Sequence, residues 1–253
     1  MPKAGPTLAK LTRPRLHQAV ARERLFARLD RGHEQKSALC IVGPPGAGKT
    51  TLAASWLDAR AIDGIWYQVD SGDADLSTFF HYLGEAAKPF TRKGQRPLPA
   101  LTPEYRQDIE GFARRFWREL FARLPKGAAL VLDNYQEVAA DQAFHRIAAD
   151  AVSEVPQGQT ILVLSRQDPP DCYARLIANE GVAFIDWENL KLSLEEAQAI
   201  AHLRGHDDSA LVQDLYTQCA GWAAGMTLML ERPRAPGTAR DTNSWAPRRG
   251  GGA

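Results

Sequence analysis

Nine consecutive residues, Gly43-Pro44-Pro45-Gly46-Ala47-Gly48-Lys49-Thr50-Thr51, constrain this chain more than any others. They fit the pattern G-x-x-x-x-G-K-[ST] of a phosphate-binding loop. The apolar run Ala38–Val42 before them reads as a buried strand, and Thr51–Leu57 after them as a helix. A strand, a glycine loop and a helix in that order aim successive backbone N–H groups and the positive end of a helix dipole at one point. Such a point takes a polyphosphate. Gly46 and Gly48 let the backbone approach without Cβ clashes. Lys49 is expected to reach the β- and γ-phosphates, and the Thr50 hydroxyl to ligate Mg²⁺. The opposing reading is a chance Gly/Pro turn before a helix; the match at every fixed position and the flanking elements count against it.

The rest of the 253 residues alternates strand and helix patterns. Strands are expected at 38–42, 64–69, 129–132, 160–164 and 182–186, and helices at 49–59, 75–87, 104–124, 140–153 and 171–179. Leu16–Leu29 is close to helical spacing. Continuous apolar strands between amphipathic helices predict an α/β fold: a parallel sheet with helices on both faces. After Leu190 the pattern turns purely helical, opening on a capping box of Ser193 and Glu196. The predicted organisation is a flexible leader over 1–14, an α/β domain over 15–189, a helical lid module over 190–231, and a disordered Arg/Pro/Gly-rich tail over 232–253.

Composition excludes little. Net charge is +1, but five arginines and one aspartate lie beyond Glu231, which leaves 26 basic and 29 acidic side chains before them, net −3. No global field draws the folded part to nucleic acid. The arginines of the 104–124 helix follow from amphipathicity and read as a solvated face. Cys40, Cys172 and Cys219 are scattered and lack metal-ligand spacing, which fits a reducing cytoplasm. No secretory signal or membrane-spanning run is visible. His202 and His206 are four apart, but Gly205 is expected to end their helix, so they read as a polar helix terminus rather than a metal site.

Three further positions bear on chemistry. The strand Ala129–Leu132 ends in Asp133, the acid expected beside the loop to hold Mg²⁺; the alternative is a strand ending at a turn. The next residue is Asn134, where a second acid would orient or deprotonate an attacking water. An amide can position that water but cannot take its proton at neutral pH. Glu137 is a candidate substitute or simply a surface side chain. Arg166, after the strand Thr160–Leu164, either reports the γ-phosphate or is a surface arginine.

Taken in order, several segments together resemble one family. These are VARERL, GPPGAGKTTLAASWL, IWYQVDSGDADLSTFFHYL, LVLDNYQEV, LVLSRQDPP, LSLEEAQAI and CAGWAAGMTLML. They resemble the nucleotide-binding module of the STAND-class P-loop ATPases (AAA+-like), in particular the MalT-like, LuxR-type bacterial transcription regulators. The resemblance covers about residues 10–231. It implies a switch that ADP holds closed and that ATP and an inducer open, followed by self-association. It implies that Lys49 and Thr50 bind phosphate and Mg²⁺, that Asp133 is the Mg²⁺ acid, and that Arg166 is the sensor arginine. It places Gly221-Trp222 where the lid approaches the adenine and Val20 at an N-terminal adenine contact; a helix–helix turn and a packed helix residue are the competing readings. Asn134 departs from the family's second acid, which predicts slow hydrolysis. Relatives continue into sensor and helix-turn-helix segments that this sequence does not carry, so it is expected to be a truncated product or a stand-alone module without specific DNA binding of its own. The alternative function is a catalytic P-loop ATPase or phosphotransferase.

Overall fold

The computed structural model describes residues 8–16, 18–138 and 141–231. The stretch 232–253, expected to be a disordered tail, lies outside the described residues, as do residues 1–7 of the expected leader.

Five parallel strands form one sheet: β1 (Ala38–Val42), β2 (Gly64–Gln68), β3 (Ala129–Asp133), β4 (Thr160–Ser165) and β5 (Val182–Ile185). Their order across the sheet is β2-β3-β4-β1-β5. Helices α1 (Glu23–Gln35), α2 (Lys49–Ala59), α3 (Leu76–Ala86), α4 (Ile109–Phe121), α5 (Gln142–Glu154), α6 (Ala174–Ala178) and α7 (Trp187–Leu190) alternate with them. The period-two alternation of β1 sorts the layers. Leu39 and Ile41 pack with Phe26 and Leu29 of α1 and Trp56 of α2. Ala38 and Cys40 face the opposite side, where Phe79, Phe116, Trp117 and Phe144 of α3, α4 and α5 meet. The expected fold class therefore holds, a parallel sheet covered on both faces. Among the described residues, no helix is long and apolar enough to cross a membrane.

Helices α8 (Leu194–Leu203), α9 (Ser209–Cys219) and α10 (Ala223–Glu231) follow. They close a third apolar cluster of their own, which includes Leu192, Ala197, Ala201, Val212, Met226 and Leu230. Ser193 and Glu196 form the capping box that their spacing signals.

Several helices start later than their periodicity suggests, and two of them show why. The spacing over Leu16–Leu29 becomes helical only at Glu23, because Arg22 holds φ −96° and ψ 73° and commits its side chain elsewhere. The expected helix from 104 begins as a 3₁₀ turn at Pro103–Gln107; Asp108 then caps Gly111 and α4 starts at Ile109. The described part of the leader is docked on the sheet edge. Lys10 Nζ lies 2.7 Å from Asp70 and 2.8 Å from Asp73. Asp73 is fully buried, and also accepts from the Tyr67 hydroxyl (2.7 Å) and the Asp70 N–H (2.9 Å). A buried carboxylate persists only with such a set of partners.

Arg22 joins the start of the chain to its helical end. Its guanidinium lies 2.9 Å from the Glu196 carboxylate and donates to the carbonyls of Leu190 (2.9 Å) and Lys191 (3.0 Å). Arg24 adds an ion pair to Glu196 at 2.9 Å, and Arg28 bonds the Asn189 side chain. Burial alone would raise the Glu196 carboxyl, but hydrogen bonds from Arg22 and Arg24 and the charge of Arg22 hold it below the ordinary glutamate value. A depressed carboxyl contributes stability in full above its unfolded value and loses it as pH falls through the lower native value. Glu196→Ala should cost about 3–5 kcal/mol, because it leaves Arg22 buried without a counter-charge. Glu196→Gln should cost less and should remove part of the acid-induced loss. Denaturant titrations of the three proteins from neutral pH down to pH 3 check both expectations.

Candidate functional site

The end of β1 delivers the loop. Val42 pairs with Ser165, and the Gly43 N–H donates to the Ser165 carbonyl at 3.2 Å, so the loop and β4 leave the sheet side by side. Gly46 (φ +73°) and Gly48 (φ +86°) then carry the backbone through the left-handed region, and α2 begins at Lys49. Ala47 is buried between them, while Thr51 is exposed on α2. The Lys49 ammonium donates to the carbonyls of Gly43 (2.5 Å) and Pro44 (3.1 Å) within its own loop.

The Thr50 hydroxyl reaches both Asp133 carboxylate oxygens, at 3.2 and 3.1 Å. Asp133 was expected on the strand next to the loop, and the topology corrects this: β4 lies between β1 and β3. The acid still meets Thr50 because α2 starts over the carboxyl ends of these strands. Asn134 sits at φ +57°, which asparagine tolerates, and its N–H donates to Asp133 Oδ1 at 2.9 Å. Burial raises the Asp133 carboxyl, and Thr50, the Asn134 N–H and Lys49 only partly offset this. Burial, and then repulsion from Arg166, lower the Lys49 ammonium against the pull of Asp133. A divalent cation beside Thr50 and Asp133, and a polyphosphate beside Lys49, would reverse both shifts. The oxygen donors suit a hard cation such as Mg²⁺, and the Cβ-free turn at Gly46 and Gly48 suits a close phosphate.

Arg166 is exposed at the exit of β4, close enough to Lys49 for their charges to interact. Its backbone N–H donates to Gln136 Oε1 at 3.0 Å. Glu137 is exposed and accepts from the Gln136 amide at 3.0 Å. On the other side of the loop, the Trp222 indole N–H donates to the Pro45 carbonyl at 3.0 Å. The Ala224 N–H donates to the Gly46 carbonyl, also at 3.0 Å. Ala220 (φ +49°) and Gly221 (φ +77°) make the turn that allows this, and Gly221 accepts from the Leu192 N–H at 2.8 Å. The loop, Lys49, Thr50, Asp133, Asn134, Arg166 and Trp222 thus gather at one end of the sheet. Val20 is half-buried in the irregular segment before α1, which Arg22 ties to the α7–α8 junction. His202 pairs with Asp207 at 2.6 Å on the exposed end of α8.

Gln136, Arg22 and Lys10 carry contacts that nothing in their local pattern marks. Glu196 had a signal, its capping-box position, but that pattern says nothing of its second role.

Comparison with known proteins bears on the family and the fold. The model of the nephrocystin 3 N-terminal family matches residues 17–166. The HTH-type transcriptional regulator MalT of Vibrio parahaemolyticus is 32% identical over 227 residues, covering 87% of this chain and 24% of the relative. The serine/threonine-protein kinase PknK of Mycobacterium tuberculosis is 27% identical over 241 residues, covering 92% of this chain and 22% of the relative. The chain therefore spans about a quarter of the length of the curated relatives it matches. Among solved structures, the Walker-type ATPase PABY2304 of Pyrococcus abyssi superposes with a TM-score of 0.52 at 12% identity, over 85% of this chain and 69% of the other. The Aeropyrum pernix Orc1 protein, solved in complex with DNA, gives a TM-score of 0.51 at 15% identity, over 85% and 60%. These two likenesses show the fold.

Two glycines test the seat of α10 on the loop. A Cβ on Gly46 would lie 2.5 Å from the Ala224 Cβ and 2.9 Å from Trp222 Nε1. Gly46→Ala should therefore lower the melting temperature by several degrees, through both the clash and the positive φ. A Cβ on Gly84, inside α3, would meet nothing within 4 Å. Gly84→Ala should leave the melting temperature unchanged or raise it, by about 0.5–1 kcal/mol in stability. Thermal melts of both variants check the contrast.

Proposed function

The chain belongs to the nephrocystin 3 N-terminal family, and we propose that it is an ATP-binding, slowly hydrolysing switch module of the kind found in MalT-like transcription regulators. The observation that carries this reading is the direct bonding of the start of α10 and the residue before it to the phosphate loop, through Ala224 to Gly46 and Trp222 to Pro45. A helical module that bonds the backbone of the loop must respond to what the loop holds. The similarity to MalT, over 87% of the chain, supports a regulatory use of that response.

In this reading the loop Gly43–Thr51 receives the phosphates of ATP or ADP. Lys49 turns from the carbonyls of Gly43 and Pro44 to the β- and γ-phosphates. Thr50 and Asp133 hold Mg²⁺, which when bound supplies positive charge to the phosphate oxygens. Arg166 distinguishes ATP from ADP through the γ-phosphate. Gly221-Trp222 and Val20 border the adenine. Asn134 orients a water through its amide but leaves the proton without an acceptor, so the ATP state lasts long enough to serve as a signal. The ATP state is the one that self-associates. Specific DNA recognition falls outside this chain's role, since residues 1–231 carry net −3 and Arg115 and Arg118 of α4 are engaged with Glu119 and Glu154. The three free cysteines suit a reducing cytoplasm.

Two substitutions test the reading. Lys49→Ala should weaken Mg-ATP binding strongly in calorimetry while the fold survives, because Lys49 serves phosphate rather than the core. Equal affinity in wild type and variant would refute it. Asn134→Asp keeps a residue type that accepts a positive φ and restores a proton acceptor. It should raise the single-turnover hydrolysis rate by about 10²–10⁴ with little change in ATP affinity. Brisk wild-type turnover that Asn134→Asp leaves unchanged would favour a catalytic ATPase, with Glu137 the first base to test.

A further inference from the structure

We propose that Gln136 is a positioning residue for Arg166, coupling the loop after β3 to the arginine that reads the γ-phosphate. The inference rests on the nucleotide-switch reading above and deepens it.

Arg166 is the first residue beyond β4, and the way it leaves the strand decides where its guanidinium can reach. Two consecutive N–H groups at this exit are held by side chains rather than by the sheet ladder. The Gln167 N–H donates to the Ser165 hydroxyl at 3.0 Å, and the Arg166 N–H donates to Gln136 Oε1 at 3.0 Å. The Ser165 carbonyl is meanwhile taken by the Gly43 N–H at 3.2 Å. The exit is therefore pinned on one side to the first residue of the phosphate loop and on the other to Gln136.

Gln136 is itself held. Its amide nitrogen donates to Glu137 Oε1 at 3.0 Å, which turns the amide oxygen toward Arg166. It sits in the 3₁₀ turn Tyr135–Val138 that begins two residues after Asp133. A second tie joins the same two loops below: the hydroxyls of Tyr135 and Tyr173 lie 3.0 Å apart, and His145 Nδ1 lies 3.0 Å from the Tyr135 hydroxyl. That lower tie is buried and fixes the spacing of the loops. Gln136 is the half-buried upper tie, and its acceptor meets the arginine's own backbone. Of the two ties, the Gln136 bond is the one that meets the backbone of Arg166 itself, so a displacement of the Asp133 loop reaches the arginine most directly there, coupling the acid proposed for the cation to the arginine proposed for the last phosphate.

The test is the ratio of Mg-ADP to Mg-ATP dissociation constants, measured by calorimetry on the full chain. Gln136→Met keeps the length and removes the acceptor. It should shrink the ratio by about three- to tenfold, the effect of losing one hydrogen bond. In an Arg166→Ala background, Gln136→Met should change the ratio no further, because its effect passes through Arg166. If Gln136→Met does not fold, Gln136→Asn, which draws the amide back by one methylene, carries the same expectation. A wild-type ratio in Gln136→Met alongside a collapsed ratio in Arg166→Ala would overturn the role of Gln136 and leave the switch reading intact. An effect of Gln136→Met that adds in full to that of Arg166→Ala would also overturn it. No change of ratio in Arg166→Ala would overturn both.

Discussion

Positive charge converges at the start of α2, and most of this structure is arranged around it. The helix presents its unpaired N–H groups there. The Lys49 ammonium is folded back on the carbonyls of Gly43 and Pro44, and burial, then repulsion from Arg166, depress it. Asp133 is the counter-charge, but its burial makes ionisation costly. Such an arrangement is poorly balanced by the protein alone and well balanced by a polyphosphate with its cation. The sheet order serves this purpose: with β4 between β1 and β3, the three strand ends present the loop, the arginine and the acid side by side.

The helical end of the chain is tied to this centre twice, by different physics. At the loop the ties are two neutral hydrogen bonds to backbone carbonyls, from Trp222 and Ala224. At the start of the chain the tie is a buried ion pair, Arg22 with Glu196, reinforced by Arg24. The first set is worth little enough to be exchanged readily. The second is costly to break, because either partner alone would remain as a buried charge. A module held firmly at one side and lightly at the other can swing, which is the mechanical requirement of a switch.

How much of this was legible in the sequence follows from the range of each interaction. All five strands and the loop were readable, because apolar runs and glycine spacing are local signals. The cap of α8 was readable for the same reason. The start of α1 was not, since the helical spacing over Leu16–Leu29 is overridden at Arg22 by partners some 170 residues away. The strand intervening between Asp133 and the loop was invisible, because strand order is a tertiary fact. Gln136 and Lys10 were silent for a like reason: a single polar residue in a loop has no periodicity to betray its partner. The roles proposed for Asn134 and Arg166 rest on position within a pattern, and the structure adds their neighbours, the left-handed turn at Asn134 and the Gln136 bond at Arg166.

The measurement that bears most directly on the central claim is the nucleotide retained by the purified protein, released by acid and identified by chromatography. A switch whose module bonds the phosphate loop and hydrolyses slowly should carry close to one nucleotide per chain, mainly ADP, exchangeable for ATP in the presence of Mg²⁺. A protein that emerges with no nucleotide, and that takes up none when incubated with Mg-ATP, would contradict the account.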